Sequence, residues 1–131
     1  MKAIFALLFI ACAFAEVVPL TKDNFQAKVD EGKPVFVKFF APWCGHCKRL
    51  APTYEEFSNI AKTEIPDLTV AEVDCTQNRD ICGHVQGYPT VILYKGEKQV
   101  EFEGARNIDA LRIFIQAQIY KYYSFFELNL L

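Results

Sequence analysis

The pattern of apolar and polar positions divides the chain into short strands and helices. Residues 16–20, EVVPL, are valine-rich and predict a short edge strand. Thr21 is placed to cap a helix through Asn24, Phe25, Ala27 and Val29 that ends near Gly32. Pro34 opens VFVKFFA, a nearly continuous run of β-branched and aromatic residues, as expected of a central strand buried on both faces. After Cys44 the period lengthens. Leu50, Tyr54, Phe57, Ile60 and Ala61 form the stripe of an amphipathic helix, and Pro52 is expected to kink it. Residues 68–73 alternate as a strand, a short helical piece covers residues 78–82, and Gly87-Tyr88-Pro89 turns the chain into a strand over residues 90–94. Lys95-Gly96-Glu97-Lys98 predicts a hairpin turn into residues 99–103, and Ile108, Leu111, Arg112 and Ile115 open a last, mainly apolar helix.

The order βαβαβαββα implies an α/β fold, a mixed sheet flanked by helices on both faces. Helical connections suit parallel pairing of the first three strands, and the last two form an antiparallel hairpin. Cys44 and Cys47 then lie where a central strand gives way to a helix. That is the carboxyl edge of the sheet, where the reaction sites of open α/β folds collect.

Residues 1–15, MKAIFALLFIACAFA, carry one positive charge, an apolar core and the small-x-small ending Ala13-Phe14-Ala15, and are read as a signal peptide. The apolar stretch from Ala3 to Ala15 is 13 residues, short of the about 20 a spanning helix needs, so no stable membrane span is expected. Without Lys2 the balance of 14 basic and 16 acidic residues becomes 13 against 16, a formal charge of −3. Nothing in that balance resembles the basic face of a nucleic-acid binder. The secretory route places the chain where disulfides persist. Cys12 leaves with the signal, and Cys44, Cys47, Cys75 and Cys82 remain, for which three full pairings are open.

A cysteine at a helix N-terminus faces unpaired amide donors and the positive end of the helix dipole, which favour thiolate over thiol. Cys44 is the expected nucleophile, and Cys47, one turn on and facing inward, is placed to resolve a mixed disulfide. His46 is expected to add positive charge beside the thiolate. A structural disulfide between the two is one alternative, disfavoured by the strand-loop-helix setting with Trp43 adjacent. A zinc site is another, disfavoured by the wide spacing of Cys75 and Cys82. Lys48 stands where haem attachment requires histidine.

APWCGHCKRLAP, with VDCT after the third strand and GYPT before the fourth, closely resembles a thioredoxin-fold domain of the protein disulfide isomerase family. The likeness covers nearly all of residues 16–118, leaving an aromatic C-terminal tail at residues 119–131. It implies the thioredoxin fold and a thiol-disulfide oxidoreductase that oxidises or isomerises disulfides of secretory proteins through Cys44-Gly45-His46-Cys47, with no cofactor beyond its own dithiol. A secreted thioredoxin-like reductase and a peptide-holding chaperone module are the rival readings. The implied partners are cysteine-containing unfolded or partly folded secretory proteins, with a thiol oxidase or other redox partner. The implied location is the lumen of the endoplasmic reticulum, or the outside of the cell, since no retention signal is visible. By the same resemblance Pro89 matches a cis-proline beside the active site, Tyr88 presents backbone to an extended peptide, Trp43 lines the substrate site, and Arg106 is an arginine brought toward the resolving cysteine. Cys75 and Cys82 resemble a pair found in some members, which implies a structural disulfide, with two free buried thiols as the alternative. His84 reads as a surface histidine.

The chain departs from the family pattern in two places. Lys38 stands where many relatives carry a buried acid able to take the resolving cysteine's proton. The segment from Cys82 to Gly87 is also about two residues short, which is expected to truncate the helix before Pro89. The tail, IYKYYSFFELNLL, is expected to extend the last helix over a hydrophobic surface, with a partner or membrane-surface role as the alternative.

Overall fold

The computed structural model describes residues 17–130, and the expected signal peptide lies outside the described residues. In chain order the elements are β1 (Val18–Pro19), α1 (Phe25–Asp30), β2 (Val35–Phe40), α2 (Gly45–Glu64), β3 (Thr69–Asp74), a 3-10 turn (Arg79–Ile81), β4 (Thr90–Lys95), β5 (Lys98–Glu101) and α3 (Ile108–Asn129). The five strands form one sheet in the order β1-β3-β2-β4-β5, with β1, β3 and β2 parallel and β4 and β5 antiparallel. β2 is the middle strand because its apolar residues are dense enough to be covered on both faces.

Alternation along β2 sends Val35, Val37 and Phe39 to one face, where they pack with Phe25 of α1, Val73, Ile92 and Tyr94. Phe36 points the other way, into a core shared with Leu50, Tyr54 and Phe57 of α2 and Leu111 and Ile115 of α3. Its ring meets those of Tyr54, Phe57, Phe102 and Phe114 at centroid distances of 5.9–6.4 Å. Lys38 and Phe40 follow Phe36 on this second face by the same period, so β2 presents a lysine to the α2 side of the sheet.

Three local expectations change. Thr21 does not cap α1; the helix starts after Asn24, whose side chain makes no cap bond. Thr21 instead closes a turn, its hydroxyl accepting from Asp23 N at 3.3 Å and its amide donating to Asn24 Oδ1 at 2.7 Å. β5 begins and ends earlier than expected because Gly96, at φ 58°, lets the hairpin reverse within two residues. The stretch before Pro89 holds only the 3-10 turn, as its shortness implies.

Cys75 and Cys82 are joined by a disulfide seven residues apart, packed into the α1-side core. Closing so short a loop contributes about 2.5 kcal/mol by the chain-entropy relation. It anchors the segment that leads to the Tyr88 turn.

α3 continues through the aromatic tail to Asn129. Ile119 is buried, but Tyr120, Phe125 and Leu128 are exposed, so the extension covers little apolar surface. Tyr123 donates to Asp67 Oδ2 at 3.1 Å, and the Lys98 ammonium stands 5.2 Å from the centre of the Phe125 ring. No helix among the described residues is long and apolar enough to cross a membrane.

Candidate active site

β2 ends at Phe40, and four residues later Cys44 is the N-cap of α2, with φ −78° and ψ 120°. Its sulfur takes the place of the usual capping oxygen, accepting from Cys47 N at 3.3 Å. The first turn of a helix has amides with no intrahelical acceptor, so an anion at this position gains hydrogen bonds and dipole stabilisation together. Cys44 and Cys47 are both reduced and both largely buried, packed with Ala41, Phe40 and Tyr88.

Their environments separate the two thiols. Cys44 is held below the ordinary thiol range, first by its hydrogen bond with the Cys47 side chain, then by the amides of Cys47 and His46 and by the charge of Arg106. Burial pushes Cys47 up to about 11, and its contact with Cys44 adds to that. The cation acting on Cys47 in the opposite direction is Lys38. Iodoacetamide at pH 7 is therefore expected to modify Cys44 first, with Cys47 at least about 100-fold slower, since a thiol near pH 11 has so little thiolate at neutrality. The reactive titration of Cys44 should have its midpoint below the ordinary thiol value. Peptide mapping after brief alkylation checks the order, and equal labelling would overturn it.

His46 and Gly45 lie exposed at the surface between the cysteines. Arg49 Nη2 approaches His46 Nδ1 at 2.7 Å. Arg49 therefore sets a second basic side chain beside the cysteine pair. Arg49 was identifiable only by its helical spacing of three from His46.

The Tyr88–Pro89 peptide bond is cis, and the Tyr88 carbonyl accepts from Cys44 Sγ at 3.5 Å. Trp43 is 70 % exposed, and its ring meets Tyr88 edge-on at 5.9 Å. Gln86, Tyr88, Pro89, Glu101 and Arg106 line an open cleft of about 600 Å³ that includes the Tyr88 contacting Cys44. His84 is exposed and lines the same cleft, its ring edge-on to Phe39 at 4.9 Å. Lys38, 4 % exposed, pairs with Glu72 at 3.2 Å, an interaction that no sequence pattern announces. Among the described residues no three His, Cys, Asp or Glu side chains gather as metal ligands do.

The family model Thioredoxin matches residues 16–117. The chain is 40 % identical over 118 residues to a probable protein disulfide-isomerase A6 of Medicago sativa, an alignment covering 87 % of this chain and 32 % of that one. It is 44 % identical over 117 residues to protein disulfide-isomerase 1 of Dictyostelium discoideum, covering 84 % and 32 %. The chain thus spans about a third of the length of these relatives. Among solved structures it resembles the first thioredoxin domain of mouse protein disulfide-isomerase A4, with a TM-score of 0.73, 32 % identity, and 79 % and 75 % of the two chains covered.

Proposed function

The chain belongs to the thioredoxin family, and from that premise we propose that it is a thiol-disulfide oxidoreductase that oxidises or isomerises disulfides in secretory proteins. The observation that carries this reading is the division of labour between two sulfurs one helical turn apart. One caps a helix and is held toward thiolate, and the other, inside the first turn of that helix, is held toward thiol. Resemblance to proteins named disulfide isomerases supports the same class.

In the reducing direction the Cys44 thiolate attacks one sulfur of a substrate disulfide. A bond forms between Cys44 and that sulfur while the other leaves as a thiolate. Cys47, losing its proton, then attacks Cys44 Sγ and releases the bound sulfur, leaving the Cys44–Cys47 disulfide and a substrate reduced by two electrons. The reverse sequence introduces a disulfide. Isomerisation is the first step followed by attack of another substrate thiol. The Tyr88 backbone, Pro89, Trp43 and the cleft reaching Arg106 would seat an extended segment of the client beside Cys44. The clients are cysteine-containing unfolded or partly folded proteins, with a thiol oxidase or similar partner to reset the pair. The compartment is the endoplasmic reticulum lumen, with secretion as the alternative.

The deciding measurement is the reduction potential of the Cys44–Cys47 couple in glutathione buffers. A value near about −180 mV, as in protein disulfide isomerase, is expected. One near about −270 mV, as in thioredoxin, would favour a reductase instead, the two differing about a thousandfold in equilibrium.

A further inference from the structure

A lysine with 4 % of its surface exposed lies on the strand that leads into the cysteine pair. Its ammonium is 5.1 Å from the centre of the Phe40 ring and 5.0 Å from that of Tyr54, and Phe40 packs against the cluster of Ala41, Cys44 and Cys47. The Tyr54 hydroxyl is already committed to the carbonyls of Phe36 and Ala71, both at 2.9 Å, so its ring and not its oxygen faces the cation. In-register pairing of β2 with β3 sets Glu72 beside Lys38, where Glu72 Oε2 meets the ammonium at 3.2 Å and keeps 30 % of its side chain in reach of water.

Such a pair is a poor device for stability, because apolar side chains of similar volume usually serve a core at least as well. Between Phe36 and Phe40 a methionine would pack without any desolvation cost. The ammonium is instead held against the Phe40 ring, which itself packs on the cluster that contains the resolving cysteine. We propose that Lys38 is a positioning residue for the resolving step, a fixed cation that stabilises negative charge on Cys47 Sγ, with Glu72 as the counter-charge that sets how strongly it acts.

This rests on the proposed exchange chemistry. In the step concerned Cys47 gives its proton to solvent, its sulfur bonds to Cys44 Sγ, and the bond from Cys44 to the substrate sulfur breaks, the substrate leaving as thiolate. A charged ammonium cannot take that proton, but it lowers the cost of removing it. The titratable or charged groups that act on Cys47 are Cys44 on its own helix and Lys38 of β2. Glu72 of β3 and Tyr54 of α2 face Lys38 in turn, while Arg106, ahead of α3, acts on Cys44. The downward pull of Lys38 on Cys47 agrees with the geometry.

The test uses the full chain with Cys44 joined to a chromophoric aryl thiol, 5-thio-2-nitrobenzoate, whose release reads attack by Cys47 alone. In Lys38→Met the pH midpoint of release should rise by about one unit and the rate at pH 7 fall about tenfold. In Glu72→Gln the midpoint should fall and the rate rise about threefold, because the cation loses its counter-charge. Lys38→Arg should keep the rate within about twofold of the native chain, since the charge remains. Loss of a merely structural ion pair would move Lys38→Met and Glu72→Gln in the same direction. That result, or an unshifted midpoint in Lys38→Met, would overturn the proposal. If the native chain itself released no aryl thiol, the exchange reading would fall, and the proposal with it.

Discussion

Cys44→Ala is expected to abolish disulfide exchange, lowering the rate of refolding of a scrambled client by at least about a thousandfold, because the remaining thiol cannot replace it. Burial pushes Cys47 up to about 11, so at neutral pH it is almost wholly thiol and a poor nucleophile toward a client disulfide. Cys47→Ser should fail differently. Cys44 keeps its place as N-cap and still attacks, but nothing inside the protein resolves the adduct, so mixed disulfides with client accumulate on non-reducing gels. In the serine variant a hydroxyl stands where the Cys47 thiol did and can still donate to Cys44, the largest influence lowering its pKa, so adduct formation should stay within a few-fold of the native rate while the adduct persists. Equal trapping by Cys44→Ser and Cys47→Ser would contradict separate attacking and resolving roles.

What could be read in the sequence is what depends on neighbours along the chain. VFVKFFA gave a central strand because a dense apolar run leaves no face for water, and the change of period after Cys44 placed the cysteines at a strand-helix junction. The parallel and antiparallel parts of the sheet followed from connection length. What escaped depends on geometry between segments or on competition within one. Thr21 has the chemistry of a cap, yet its hydroxyl is used by Asp23 in a tighter turn. Arg49, 2.7 Å from the His46 ring, is brought there by the first turn of α2 and by no motif. Lys38 was recognisable as a departure from the family pattern, but its partner was not. Glu72 lies on another strand, and only the register of β2 against β3 brings the two together.

That partner decides what happens when a carboxylate is placed in the departing position. Lys38→Glu sets a second carboxylate against Glu72 in a layer where Lys38 has almost no contact with water. Breaking a fully buried pair by removing one member costs about 3–5 kcal/mol. Glu72 keeps 30 % of its side chain exposed, so about 2–3 kcal/mol at pH 7 is expected here. The loss should depend on pH in a defined sense. Two carboxylates at this distance cannot both ionise cheaply, so one keeps its proton to a pH above the about 4.3 of an unperturbed glutamate. A group whose pKa is raised on folding contributes stability that is complete below its unfolded pKa and lost as pH rises through its folded value. The deficit of Lys38→Glu relative to the native chain should therefore be small near pH 4 and grow toward pH 7, as read by urea unfolding at several pH values. Adding Glu72→Lys restores opposite charges in exchanged positions and should recover most of the loss at pH 7 and flatten the pH dependence. A deficit that does not grow with pH, or one that Glu72→Lys fails to relieve, would show that the two side chains do not share a site.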